Sequence, residues 1–229
     1  MPPALAQPLT QSQINAASTF WANGWESKEL AQLKQCFPGR YDAIPLKAIV
    51  LNTLYTTNVI AIYKVAGLLE TLLPETRTTG PLLVEELVDA IKEKVTGRAH
   101  HVFVAKFGHF FIDPNLPILD SYAEEMVAWH LGEAQSQHPK RYLKFCENIE
   151  KLRELAGLTC NCAELDAYLW LAGEYQAWSK NPNEKKISSD LRPLFERLQT
   201  DPESEPALRD LLGPIRASAS VYGIPIDAV

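Results

Sequence analysis

Apolar residues along this 229-residue chain recur mainly at spacings of three and four. That is the period of a helix and not the alternation of a half-buried strand. From Pro81 onward, Val84, Leu87, Val88, Ile91 and Val95 fall on one stripe, with Pro81 suited to a first helical turn and Gly97 as a stop. The stretch 59–73 places Ile62, Val65, Leu69 and Leu72 on one face, opens after Thr57-Asn58 as a cap, and stops at Pro74. From Pro139, the residues Tyr142, Phe145, Ile149 and Leu152 oppose a solvated face of Lys140, Arg141, Lys144, Glu147, Glu150 and Lys151. Residues 163–179 repeat the pattern with Tyr168, Leu171, Tyr175 and Trp178. Phe103, Phe107, Phe110 and Phe111 fall at i, i+4, i+7 and i+8, which predicts a helix over 99–112 with an aromatic core face; a short buried strand over 100–104 is the competing reading. Shorter helices are expected over 11–22, 27–36, 41–55, 119–132, 187–199 and 203–212, the last closing before Gly213-Pro214. Breakers cluster at 74–80, 112–117, 180–186 and 201–206, each too short for an interdomain linker. The pattern predicts an all-α protein: a loose tail over 1–10, a single compact multi-helix domain over 11–221, and a tail over 222–229.

Composition narrows the class. With 46% apolar and 22% charged residues, the chain is neither disordered nor fibrous. A chain of this length buries roughly 70% of its unfolded surface, so no disulfide or metal is needed for a core. Twenty-two Lys or Arg against 28 Asp or Glu give a net charge of -6, which argues against a protein held to a polyanion by a dominating positive field. No run of 18 apolar residues reads as a membrane span. The first nine residues, MPPALAQPL, lack the basic start and apolar core of a secretory signal, so the cytoplasm is the expected location. Cys36, Cys146, Cys160 and Cys162 read as reduced thiols. Cys160-Asn161-Cys162 lacks the second cysteine pair or histidines of a metal site, and neither metal nor cofactor is expected.

The chemistry is concentrated in residues 96–132. The aromatic helix is followed by the turn Asp113-Pro114-Asn115-Leu116-Pro117, then Ile118-Leu119-Asp120-Ser121, then a helix with Tyr122, Met126 and Trp129 or His130. Asp120 or Ser121 is placed to cap that helix, since a short polar oxygen satisfies its first free N–H groups. An apolar helix, a Pro-containing turn and Pro-x-x-Asp at the next helix start resemble the core of the helix-hairpin-helix DNA glycosylase superfamily. The wording is closer to a group of uncharacterised bacterial proteins related to the 8-oxoguanine-glycosylase fold. The positions similar to their pattern are Ala105-Lys106-Phe107, His109-Phe110, Asp113-Pro114 and Pro117-Ile118-Leu119-Asp120-Ser121. Leu51-Asn52-Thr53-Leu54-Tyr55 with Thr57-Asn58 upstream, and Glu164-Leu165-Asp166 with Leu169-Trp170 downstream, spread short matches over residues 45 to 180. The resemblance implies a helix-hairpin-helix glycosylase-like core, DNA repair, and DNA or a nucleobase as partner. For Asp120 it implies stabilisation of the cation that forms as the base leaves.

Departures from the pattern restrict that chemistry. The glycosylase hairpin carries Leu-Pro-Gly-x-Gly so that backbone N–H groups approach a phosphate, whereas this chain offers only Thr96-Gly97-Arg98, which leaves Arg98 as the binding candidate there. Bifunctional members carry an amine nucleophile at positions corresponding to His101, Val102 or Phe103. Lys106 follows about a turn too late, so the resemblance implies cleavage of an N-glycosidic bond without a lysine Schiff base. The four-cysteine iron–sulfur cluster of some members is also absent. Asp120 therefore has two readings, a helix cap worth about 1 kcal/mol and a catalytic carboxylate facing an oxocarbenium-like transition state. Lys106 and His109 are catalytic candidates that could share a cleft with Asp120, His109 as a proton carrier. The plainer alternative is a hydrogen-bonded buried His and a snorkelling Lys. Asn52, Tyr55 and Asn58 are candidate binding groups for the same cleft, or ties within turns. A non-enzymatic helical interaction module is the competing class. Residues 92 to 153 hold nine Lys or Arg against eight Asp or Glu, so this region is close to neutral.

Overall fold

The computed structural model describes residues 4–22, 28–133, 140–184 and 187–221, with backbone alone at 214 and 216–221. The expected tail over 222–229 and the first three residues lie outside the described residues. All regular structure among the described residues is helical. In chain order the helices are α1 (Gln11–Ala22), α2 (Lys28–Cys36), α3 (Ile44–Leu54), α4 (Ile62–Leu72), α5 (Gly80–Ile91), α6 (His101–Phe111), α7 (Ser121–Leu131), α8 (Arg141–Ala156), α9 (Cys162–Lys180), α10 (Arg192–Thr200) and α11 (Pro206–Val221). The stretch at 100–104 that could have been a strand is the first turn of α6. The chain divides into two compact units: unit 1 is Met1–Asn23, Ser121–Gln135 and Lys151–Val229, and unit 2 is Gly24–Asp120 and Ser136–Glu150.

Unit 2 carries α2 to α6 and the first part of α8. Within it α3 packs against α4 and α6, and α5 against α4 and α6. The stripe Val84, Leu87, Val88 and Ile91 on α5 is buried, as are Phe103, Phe107 and Phe111 on α6. Each such side chain contributes about 1.5–3 kcal/mol by leaving water. Helix α5 runs on through a π-helical turn, Lys92–Thr96, and ends at Gly97, whose φ of 69° places it in the left-handed region. Glu85, buried at 4% exposure, reaches the start of α8: its Oε1 accepts from the N–H groups of Tyr142 at 2.8 Å and Leu143 at 3.0 Å. A carboxylate from another helix thus satisfies two of the free donors at that helix start.

The opening of α4 departs from the sequence expectation. Thr57 and Asn58 do not cap it; its N-cap position is Ala61, without a side-chain cap, and Thr56 and Asn58 adopt φ values of 47° and 57°. The segment is held instead by Asn52. Its Oδ1 accepts from Thr57 Oγ1 at 2.7 Å and from Val59 N at 3.0 Å, and its Nδ2 donates to Val59 O at 3.4 Å.

Unit 1 is organised around α9, which packs against α1, α7, α10 and α11. Nearly every side of α9 is buried, Tyr168, Leu171, Tyr175 and Trp178 included. Asn161 caps it reciprocally: its side chain accepts from Glu164 N at 2.9 Å while Glu164 Oε2 accepts from Asn161 N at 2.8 Å. The Cys160-Asn161-Cys162 stretch is therefore a helix entry flanked by two buried cysteines. Gly173 permits close approach, since a Cβ there would lie 2.6 Å from Tyr122 Cβ. Residues 4–10 have no helix, but Ala6 N and Gln7 N donate to His130 O at 2.9 and 3.3 Å and Leu9 is buried.

The last helix overturns a boundary. It was expected to close before Gly213-Pro214, yet α11 continues to Val221. Pro214 has no N–H for the Asp210 carbonyl, a penalty of about 3 kcal/mol in a helix interior. The helix nonetheless passes through it, and Ile215, just beyond the proline, is 1% exposed in line with the buried Leu208, Leu211 and Leu212.

Candidate functional site

The candidate residues of unit 2 converge on α6. This helix is apolar on nearly all sides, so Lys106, 8% exposed, lies in surroundings where an ammonium requires a partner. It has two. Lys106 Nζ lies 3.1 Å from Asp120 Oδ2, the side chains being 10% and 14% exposed, and 4.8 Å from the centroid of the Tyr55 ring. Asp120 is the residue immediately before α7, at the end of the turn that the sequence singled out.

Tyr55, at the end of α3, stacks on Phe110 with centroids 5.3 Å apart and planes 20° apart. Lys34 Nζ lies 4.9 Å from the Phe110 centroid. Each of the two stacked rings thus has a cation against it, Lys106 at Tyr55 and Lys34 at Phe110. Three of the four phenylalanines form core; the fourth, Phe110, belongs to this array.

His109 is buried at 7% exposure, with Nδ1 at 2.8 Å from Leu116 O and its ring edge-on to Phe110 at 5.1 Å. Because a carbonyl only accepts, Nδ1 carries the proton and donates. Burial pushes its pKa below the usual imidazole value, opposed by the bond to Leu116 and assisted by Lys34 and Lys106, so the neutral ring prevails near pH 7. Asn52 spends its amide on the 57–59 loop. Asn58 is exposed beside that loop. Arg98 is also exposed; its backbone bonds Thr96 Oγ1, and among the described residues no contact joins it to the Lys106–Asp120 pair. The structure therefore brings together Lys106, Asp120 and Tyr55, with His109 one turn along α6. Asn52, near the end of α3, ties down the loop that carries Asn58, and Arg98 lies apart. Trp129 is in unit 1 and packs edge-on to His130 at 4.7 Å.

Four participants were not singled out from the sequence: Lys34, Lys47, Glu85 and Tyr142. Lys47 carries the same signal as Lys106, a lone charge in the apolar run of α3. It is 1% exposed, donates to Gly39 O at 2.6 Å, and has its pKa lowered by burial against the opposing pull of Asp42. Tyr142 Oη donates to Pro117 O at 2.8 Å, and no local pattern announces that contact.

Charge is divided unevenly. Unit 2 holds 13 Lys or Arg and 13 Asp or Glu, so the whole net charge of -6 lies in unit 1, with 9 against 15. Among the described residues no helix is long and apolar enough to cross a membrane. No family model, curated protein or solved structure matches the chain.

Proposed function

We propose that this chain is a glycosylase-like protein that binds a nucleic acid or nucleobase beside Asp120 and cleaves an N-glycosidic bond without a lysine Schiff base. The observation that carries the reading is the Lys106–Asp120 pair. A sequestered ion pair is a poor stabiliser, because desolvation of both charges offsets most of their attraction. Charged groups held in apolar surroundings are therefore functional candidates. In this reading the Asp120 carboxylate supplies the negative charge that an oxocarbenium-like centre requires. Water then adds to the sugar carbon and the base leaves with the proton. Lys106, as an ammonium donating to Asp120, has no lone pair for attack on a sugar. The charge balance of unit 2 removes the repulsion that the whole-chain -6 suggested.

The test uses end-labelled oligonucleotides, duplex, mismatched and single-stranded, some carrying oxidised or deaminated bases. Binding by fluorescence anisotropy at low salt, and alkali-labile sites made by the wild type but not by Asp120→Asn, are expected. No binding at micromolar protein refutes the reading, and a borohydride-trapped covalent complex refutes the absence of a Schiff base.

A second reading, a non-enzymatic helical interaction module, draws on a separate observation. Ile60, in the turn before α4, and Tyr63, in its first turn, are 96% and 75% exposed. Residues 43 to 69 contain no acidic side chain, so in the first reading this pair is a stacking surface beside a polyanion. The anisotropy assay separates the two: DNA binding by the wild type that Ile60→Ser/Tyr63→Ser weakens supports the first reading, and no DNA binding by the wild type supports the second.

A further inference from the structure

We infer that Tyr142, together with His109, is a positioning residue that holds the Asp120 carboxylate against Lys106. The functional meaning of that positioning rests on the reading above; the positioning itself does not. Leu116, Pro117, Ile118 and Leu119 connect α6 to Asp120 without helical hydrogen bonding, and all four are buried. Buried carbonyls in such a segment need donors from elsewhere. Leu116 O receives the His109 Nδ1–H at 2.8 Å and Pro117 O receives the Tyr142 hydroxyl at 2.8 Å. Three residues beyond Pro117, Asp120 Oδ2 meets Lys106 Nζ at 3.1 Å.

Two elements thus hold this segment. Helix α6 holds both ends of the segment, His109 at Leu116 and Lys106 at Asp120, from positions three residues apart. Helix α8 supplies Tyr142, which is 0% exposed and whose backbone N–H is fixed by Glu85 of α5. Glu85 sets the start of α8, Tyr142 carries that placement to Pro117, and the stiff φ of Pro117 passes it towards Asp120. Glu85 Oε2 also lies 3.6 Å from His101 Nε2. Glu85 and Tyr142 therefore act on the site through Asp120 without touching a ligand.

The test reads the ion pair directly. Wild type, Tyr142→Phe, Asp120→Asn and the double variant are acylated with an N-hydroxysuccinimide acetate, and each lysine is quantified by peptide mass spectrometry. Exposed Lys64 serves as the reference and buried Lys47 reports general loosening of unit 2. Asp120→Asn should raise Lys106 acylation about twofold or more, the least coupling expected of groups in one network. Tyr142→Phe should raise it too, with Lys47 unchanged, and should add nothing in the Asp120→Asn background. Unchanged Lys106 in either single variant, additive effects in the double variant, or a parallel rise at Lys47 would each overturn the inference. In the anisotropy assay Tyr142→Phe should weaken DNA binding only while Asp120 is present. If the wild type binds no DNA, the function fails while the acylation result still decides the positioning.

Discussion

His130 should make the fold acid-sensitive through a single buried ring. It is 0% exposed; its Nδ1–H donates to Gln7 O at 3.0 Å and its Nε2 accepts from the Tyr168 hydroxyl at 3.0 Å. Burial pushes the Tyr168 hydroxyl well above the usual phenol range, so it remains a donor. Burial likewise drives the His130 pKa down to about 4, against a small opposing pull from the Gln7 carbonyl. Because the folded value lies below the unfolded one, the stabilisation is complete above pH 6.5 and is lost as pH falls towards 4. In that window the unfolded chain takes up a proton that the fold refuses. At about 1.4 kcal/mol per pH unit, the loss reaches about 3 kcal/mol. His130→Phe keeps a ring but removes both nitrogens. It should cost about 2 kcal/mol or more at pH 7, because Gln7 O and the Tyr168 hydroxyl lose their partners. The same variant should lose the His130 share of the acid slope. Urea unfolding of both proteins at several pH values from 7 to 4 measures the difference, with other titrating groups common to the two. Parallel stability curves would refute the reasoning.

Four further outcomes follow from packing and hydrogen bonding. Lys106→Met should lower the urea midpoint by removing the charged partner of the Asp120 carboxylate, and Lys106→Met/Asp120→Leu should recover part of that loss; urea midpoints of the three proteins check this. Glu85→Ala should cost about 3 kcal/mol or more, since two charge-assisted bonds to the start of α8 are worth about 1.5–3 kcal/mol each, and hydrogen exchange at Tyr142 and Leu143 should accelerate. Gly173→Ala should destabilise by about 1–3 kcal/mol through overpacking and lower the thermal midpoint, because its methyl meets Tyr122. Pro214→Ala should raise the urea midpoint, restoring an N–H to the Asp210 carbonyl and removing up to about 3 kcal/mol of helix penalty.

The helices were legible in the sequence because their cause is local. Stripes such as Val84-Leu87-Val88-Ile91 and Phe103-Phe107-Phe111 repeat within one or two turns, so burial of one face follows from spacing alone. Lys106 was legible only as a position in the Ala105-Lys106-Phe107 match, with a lysine snorkelling to solvent as the plainer alternative. Asp120 was legible as a carboxylate at a helix start. What the sequence left open was how these parts meet. The 14-residue separation of Lys106 and Asp120 fixes no distance, and the 25 residues from Pro117 to Tyr142 or the 57 from Glu85 to Tyr142 carry no periodic signal. Asn52 and Thr57-Asn58 read equally well as ligand contacts, cap or loop ties until the fold engaged Asn52 with Val59 and Thr57. The passage of α11 through Pro214 was likewise decided by the burial of Ile215 beyond it. Local propensity selects elements a few residues long, whereas buried polar partners are chosen by whichever distant donor the packed core brings within hydrogen-bonding reach. The sequence alone therefore determined the helical character of the chain, and the tertiary structure decided that Lys106 is buried against Asp120 and does not snorkel to solvent.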